Sequence, residues 1–263
     1  TKMETFEEFY AAFEKQFKYL FSMASERNNV ELIAQRSLFP DPFRSALMEN
    51  GVKDGKDLLN KRFAIENCSC LGAVGGVNTG DSLYAVKKLV YEDKKYTMAQ
   101  LLEALDADWV GYEDMREDFI KAPKYGNNIA EPDEYVADVY KLFADTCTEN
   151  PTAYGGHVTP NAISISAHQP GGMVTGATPD GRKGGEILAD ASLSPDHGKD
   201  VCGPIAVFQS AMKVNQDPYQ GTLMNMKVHP TAVKTDADLM KLGSMIKTYL
   251  THGGKHVQFN VVD

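Results

Sequence analysis

Aromatic and apolar residues return at helical spacing along the first twenty positions: Phe6, Phe9, Tyr10, Phe13, Phe17, Leu20 and Phe21. Thr5 stands just ahead of them and Glu8 three residues on, the capping-box pair that satisfies two orphan N–H groups. This predicts a helix with its aromatic stripe turned to the core. The prolines of "LFPDPF" (38–43) break the pattern, and a short helix is expected around Ser45 to Asn50, stopping at Gly51. Small and apolar residues from Cys68 to Val77 read as an extended segment feeding a helix at about Asp81 to Tyr91. Gly72, Gly75, Gly76 and Gly80 allow close backbone approach there. Thr97 and Gln100 form a second capping box, "APKYGNN" (122–128) is a turn, and Pro132 starts a helix reaching about Cys147.

The texture then changes. "AISISAHQP" (162–170) alternates, so a strand is expected with Ser164, Ser166 and His168 on one face and Ile163, Ile165 and Ala167 on the other. "GPIAVFQSAMKV" (203–214) reads as helix or strand, and "GTLMNMKVHP" (221–230) as a strand. Thr235 caps a helix over Asp236 to Leu250, with Asp238 completing a third capping box and Gly253-Gly254 ending it. "KHVQFNVVD" (255–263) is a strand, on which the chain stops abruptly, so both boundaries look cut. Strands separated by helices over this length predict an α/β architecture.

Composition narrows the function classes. The chain carries a formal charge of −9, which argues against a nucleic-acid partner, because phosphate binding needs clustered Lys and Arg. No apolar run approaches the roughly 18 residues of a membrane span, and the first ten residues hold no signal core, so no membrane partner and a cytoplasmic location are expected. Cys68, Cys70, Cys147 and Cys202 are too scattered for a structural zinc site, so no metal is expected. Cys68 and Cys70 read as small buried hydrophobes. The glycines near Gly75 do not match a phosphate-binding GxGxxG, and neither a phosphate loop nor a nucleophile elbow is present.

The stretch from Met173 to Gly198 is long, rich in glycine and pinned by "TPDGR" (178–182). Pro179 presets φ, Asp180 bonds locally and Gly181 accepts positive φ. Loops of this length with fixed geometry are usually functional. A surface connection held by its own turns is the other reading. "TGATPDGRKGGEILADASLSPDHGKD", followed by "QGTLMNMKVHP" and "GGKHVQFNVVD", closely resembles the glycyl radical enzymes, the pyruvate formate-lyase-like family. "TFEEFYAAFEKQFKYL", "DSLYAVKKLVYEDKKYTMAQLLEAL" and "APKYGNN" fit the same family in the same order.

The resemblance implies that residues 1–263 are part of a barrel of strand half-barrels surrounded by helices, with the active site at its centre. It implies a radical C–C, C–O or C–N lyase or synthase acting on a small organic substrate. A thiyl cysteine would abstract hydrogen. A glycyl radical would be installed by an S-adenosylmethionine-dependent iron–sulfur activating enzyme, and a homodimer is expected. The family's thiyl motif belongs upstream and its Arg-Val-x-Gly-Tyr-type motif downstream. No catalytic residue is therefore expected here, no cofactor is bound in this segment, and the chain alone is expected to be inactive.

Two stretches are expected to face substrate. Ser164, Ser166 and His168 share a strand face, where hydroxyls and an imidazole can hold polar groups. Leu71, Val74, Val77 and Asn78 could shape an apolar pocket, which leans the substrate toward an arylacetate decarboxylase or alkyl- or benzylsuccinate synthase type. Packing within the protein is the competing explanation for both. His197, His229 and His256 are expected to be structural, and Arg182 to pin the loop through carboxylates. The alternative to an enzyme is a non-catalytic fragment or degenerate paralogue serving as an assembly partner, with strand edges that would aggregate unless paired.

Overall fold

The structure, a computed structural model, describes residues 3–58 and 69–262. Helix α1 (Phe6–Leu38) begins at the expected capping box: the Thr5 hydroxyl accepts from the Glu8 N–H at 3.2 Å, and the Glu8 carboxylate accepts from the Thr5 N–H at 3.4 Å. It runs up to the proline pair, after which α2 (Pro42–Leu47) starts with Asp41 as cap, earlier than expected because proline suits the first helical position. Short α3 (Gly51–Asp54) follows. Strand β1 (Ser69–Gly72) leads into α4 (Gly76–Val86), which continues as a π-helical stretch over Lys87–Glu92.

Then come α5 (Met98–Asp106), α6 (Glu113–Lys121), α7 (Ala130–Glu149) and β2 (Val158–Asn161). After these lie α8 (His168–Val174), α9 (Pro204–Lys213), β3 (Met224–Val228), a 3-10 turn at Pro230–Val233, α10 (Asp236–Thr251) and β4 (Val257–Val261). The boxes at Thr97–Gln100 and Thr235–Asp238 both form.

Each strand follows the last after a helical crossover, and all neighbours are parallel. β1 pairs with β2, Ser69 opposite Val158, and β3 pairs with β4, Met224 opposite Val257. An isolated parallel bridge, Ala162–Thr222, links the end of β2 to the approach to β3, and another, Ser192–Leu223, sets the loop beside β3. That is the α/β order expected, since parallel strands need crossovers long enough to hold a helix.

The segment expected as an alternating strand departs from this. Pairing stops after Ala162, the chain turns through 163–167, and His168 opens α8. The Ala167 N–H donates to the Ser164 carbonyl at 2.7 Å and the Gln169 N–H to that of Ser166 at 3.1 Å, which commits the backbone to a turn. Ser164, Ser166 and His168 therefore share no strand face: Ser164 is buried, Ser166 exposed and His168 half-buried. Ile165, expected on the apolar side, is 78% exposed. "GPIAVFQSAMKV" resolves to helix α9. Cys70 is exposed rather than buried, whereas burial pushes the Cys147 thiol up to about 12. Cys68 lies outside the described residues. Among the described residues no helix is long and apolar enough to cross a membrane, and no three His, Cys, Asp or Glu side chains are grouped to hold a metal ion.

Four buried tyrosines fill the space between the strands and α7, α9 and α10, and each hydroxyl has found a partner, as burial demands. Tyr125 donates to the Leu193 carbonyl at 3.2 Å, Tyr140 to that of Ser192, and Tyr219 to that of Tyr140 at 2.6 Å. Tyr249 lies 3.2 Å from the Gln216 amide nitrogen. Helix α4 crosses α7 at glycines. A Cβ on Gly80 would lie 2.5 Å from Val136 Cγ2 and 2.7 Å from its Cα. Gly80→Ala gains up to about 1 kcal/mol in helix propensity. It also overpacks backbone that cannot yield, at about 1–3 kcal/mol. The variant is therefore expected to unfold at lower urea concentration than the parent. A midpoint equal to or above the parent's would show that the two helices separate freely.

Candidate active site

Arg182 builds the loop. Its side chain is buried, yet its guanidinium meets backbone carbonyls rather than carboxylates: Lys183 at 2.9 Å, Glu186 at 2.6 Å, Thr175 at 3.1 Å, and Gly176. Its own carbonyl accepts from the Trp109 indole at 3.2 Å. The fork of donors thus gathers both arms of the loop around one cation, which corrects the expectation of carboxylate pinning. Gly181, at φ +94°, is where the turn needs glycine. A Cβ there would lie 2.4 Å from Ile120 Cγ1. Arg116 donates to the Gly181 carbonyl at 2.7 Å.

Asn78 clamps this loop to the first turn of α4. Its Nδ2 donates to Asp180 Oδ2 at 2.8 Å, and its Oδ1 accepts from the Ala189 N–H at 2.8 Å. Asp180 also accepts from the Thr178 hydroxyl at 2.6 Å. Beneath lies a sealed charge cluster. Asp81 Oδ1 accepts from the Tyr125 N–H at 2.8 Å, but Oδ2 has no partner. Burial, reinforced by the charges of Asp180 and Asp196, pushes the Asp81 carboxyl up to about 8, against the pull of Lys124. Burial likewise pushes the Lys124 amine down, and its ammonium is held by the Phe119 and Ala122 carbonyls at 2.6 and 3.1 Å.

The loop then passes the carboxyl ends of β1 and β2, where ligands bind in open α/β sheets, and the start of β3. The Leu188 N–H donates to the His168 carbonyl at 3.2 Å, and the Ser192 hydroxyl to the Ala73 carbonyl at 2.7 Å. The Asn225 N–H donates to the Ser194 hydroxyl at 2.9 Å and its Nδ2 to Asp190 Oδ2 at 3.0 Å. Three side-chain atoms here are buried without a partner: Ser164 Oγ, His168 Nδ1 and Asn225 Oδ1. Three of the eight non-glycine residues with positive φ among the described residues lie here. Ile165, Ala191 and Ser192 have φ of +50°, +57° and +87°, each costing about 1–3 kcal/mol.

Of the expected pocket residues, Val77 is wholly in the core, Leu71 packs against that core, and Asn78 is spent on the clamp. Val74, 38% exposed, lines an apolar cleft of about 310 Å³ with Phe9, Phe13, Leu83 and Leu188. Ser164 and His168 do come to the strand ends. Asp190 and Asn225 were missed: Asn225 sits between Met224 and Met226 on the face opposite the core, a period-two signal, whereas nothing local marks Asp190. His229 is structural, its Nδ1 2.7 Å from the Thr231 hydroxyl in the 3-10 turn.

Parallel strands joined by helical crossovers, with an ordered loop packed over them, make this an α/β fold, and comparison with known proteins defines the family. A family model described as pyruvate formate lyase-like matches residues 1–172, and one described as glycine radical matches residues 189–263. The chain belongs to this family of glycyl radical enzymes. It is 33% identical over 289 residues to indoleacetate decarboxylase of Tractidigestivibacter scatoligenes, covering 99% of this chain and 32% of that protein. It is 32% identical over 262 residues to trans-4-hydroxy-L-proline dehydratase of Clostridioides difficile, covering 99% and 33%. The solved structure of the B12-independent glycerol dehydratase of Clostridium butyricum superposes with a TM-score of 0.92 at 37% identity, covering 100% of this chain and 33% of that one. The chain spans about a third of the length of these relatives, and the join between the two matches falls within the loop.

Two outcomes test the loop's construction. Asn78→Asp puts a second carboxyl against Asp180, so at neutral pH it is expected to lose at least about 2 kcal/mol and to free the Ala189 amide to hydrogen exchange. Acid should restore part of the protection, because a protonated carboxyl can donate to Asp180. Unchanged exchange at Ala189 would show that the clamp is dispensable. Asp81 has a folded pKa of about 8 above an ordinary 3.8, so its stability contribution is intact below about 4 and lost as pH rises through about 8. Asp81→Asn should therefore melt above the parent by a margin that grows over that window. A margin independent of pH would mean that Asp81 is ionised throughout.

Proposed function

We propose that this chain forms part of the substrate-enclosing wall of a glycyl radical lyase whose full-length form cleaves a C–O bond in a small hydroxylated molecule. The observation that carries this reading is the polar character of the loop and of the segment just beyond β2: Asn225 at the start of β3 holds Asp190, and Ser164 Oγ, His168 Nδ1 and Asn225 Oδ1 are left without partners. An arylacetate or alkyl substrate would want an apolar wall, and of Leu71, Val74, Val77 and Asn78, expected to shape one, Leu71 and Val77 are taken up by the core and Asn78 by the clamp, which leaves Val74 on the apolar cleft. The relatives include a decarboxylase at 33% and dehydratases at 32% and 37% identity, too close to decide between them. All three are enzymes, which weighs against a purely scaffolding product.

A glycyl radical, once installed by its activating enzyme, supplies hydrogen-atom abstraction. The three buried tyrosines Tyr125, Tyr140 and Tyr219 fit such a neighbour because they are poor competitors for the unpaired electron. A phenol gives up an electron readily only when its proton has a base to go to. Tyr125, Tyr140 and Tyr219 donate to backbone carbonyls, which are poor bases, and burial raises all three phenols well above their usual range. The chain's own part is to hold the substrate's polar groups at the strand ends and to exclude water behind the loop.

The test is anaerobic activation of the full-length protein followed by incubation with glycerol, propane-1,2-diol, trans-4-hydroxy-L-proline and indoleacetate. Loss of water from one of the hydroxylated compounds is the expected outcome. Release of carbon dioxide from indoleacetate, with the hydroxylated compounds untouched, would replace this reading with the decarboxylase one.

A further inference from the structure

We infer that Asp190 is a substrate-contacting residue that accepts a hydrogen bond from a hydroxyl or ammonium group of the ligand, and that Asn225 is its positioning residue. The inference rests on the hydrolyase reading above and names the group that would select for it.

Asp190 stands in a three-residue turn. The Ser192 N–H closes onto the Asp190 carbonyl at 2.6 Å, with Ala191 between them at φ +57°. A γ-turn with positive φ at its centre is rare and strained, and a β-carbon makes it worse. Ser192 follows at φ +87°, and both residues are almost wholly buried. Strain persists only where the surroundings overdetermine it, and here they do. The Ser192 hydroxyl is tied to the Ala73 carbonyl, Tyr140 reaches the Ser192 carbonyl from α7, and the Leu193 N–H donates to the Leu223 carbonyl at 3.0 Å. Three separate elements hold a backbone shape that a relaxed loop would abandon. What that shape displays is the carboxylate of Asp190 beside the start of β3, and an observed outlier of this kind points toward function.

The side chain is fixed as firmly as the backbone. Asn225 Nδ2 donates to one oxygen, Oδ2, at 3.0 Å, and Asn225 is held by hydrogen bonds between its main chain and the Ser194 hydroxyl. Turning the amide over to relieve its sealed Oδ1 would forfeit the bond to Asp190, and that bond orients the carboxylate. The other oxygen of Asp190, Oδ1, has no partner among the described residues, and it is not among the sealed atoms either. No cation pairs with Asp190 among the described residues. A half-buried carboxylate with one fixed oxygen and one open oxygen attracts a donor and repels an anion. The ligand class is a small molecule with a hydroxyl or ammonium group. A molecule whose polar group at this point is a carboxylate is disfavoured.

Asp190→Asn keeps an oxygen for Asn225 Nδ2 while turning the open position from acceptor to donor. Affinities of full-length, unactivated protein would be measured by calorimetry for propane-1,2-diol, as the donor probe, and phenylacetate, as the anionic one. Losing a hydrogen bond to a charged group weakens diol binding by about ten- to a hundredfold, and phenylacetate binding should tighten, with the thermal midpoint unchanged. Asn225→Ala leaves the charge but frees it, and should weaken the diol less. A merely structural Asp190 would move the midpoint and leave the ratio of the two affinities alone. That outcome overturns the inference, as does a parent protein that binds neither probe. If the parent takes phenylacetate and refuses the diol, the hydrolyase reading fails. In that case Asp190→Asn leaving phenylacetate affinity unchanged overturns this inference as well, whereas a tightening preserves the carboxylate's place in the site.

Discussion

A guanidinium buried among carbonyls holds this structure's functional half in shape. Removing a cation from water is costly unless its donors find acceptors, and Arg182 finds them within its own loop, in four backbone carbonyls and the Thr178 hydroxyl. Carbonyls at Thr175, Gly176, Lys183 and Glu186 must therefore converge, which closes the loop on itself without help from regular secondary structure. Trp109 and Arg116 then dock the closed loop against α5 and α6. A lysine at 182 would bring one compact charge where the loop needs a planar fork.

From that closed loop the order spreads to the strand ends. Asn78 fixes Asp180 on one arm and Ala189 on the other, so the distance between the arms is set by a single amide on α4. Ala189 is the neighbour of both Leu188, bonded to the start of α8, and Asp190, bonded to β3 through Asn225. The loop is thus a bridge from α4, beside β1, to the ends of β2 and β3. Val77 and Asn78, adjacent in sequence, divide the labour, with one buried in the core and the other clamping the loop.

Much of this was legible in the sequence. Three capping boxes, the proline break before α2 and the terminal helix–strand unit are local features, decided by hydrogen bonds a few residues apart, and the structure has them where they were expected. The family was legible because the loop motif and the strand motifs after it keep their order. The segment 162–170 misled because six residues of alternation are compatible with a turn. Ser164 and Ser166 can cap a turn as readily as they can line a strand, and Gly171-Gly172 lets α8 pack close to Ile187 and Leu188. Asp190 and Asn225 lie 35 residues apart and meet only through the parallel bridge between Ser192 and Leu223, which no local pattern encodes.

The strain and the unpartnered atoms then belong to one argument. Ile165 follows Ser164 directly, and Ala191 and Ser192 follow Asp190, so each positive φ sits beside a polar side chain at a strand end. Relaxing any of these residues to ordinary dihedrals would swing the neighbouring hydroxyl or carboxylate away from the strands. Folding alone gives no reason to keep them, because each costs stability and Ile165 sits beside a buried hydroxyl, Ser164 Oγ, that lacks a hydrogen bond. The Arg182 loop and the tyrosine hydroxyls from α7 supply the rigidity that offsets this cost. A loop held by such means is ordered before any ligand arrives, which is the preorganisation that the proposed substrate-enclosing role would need.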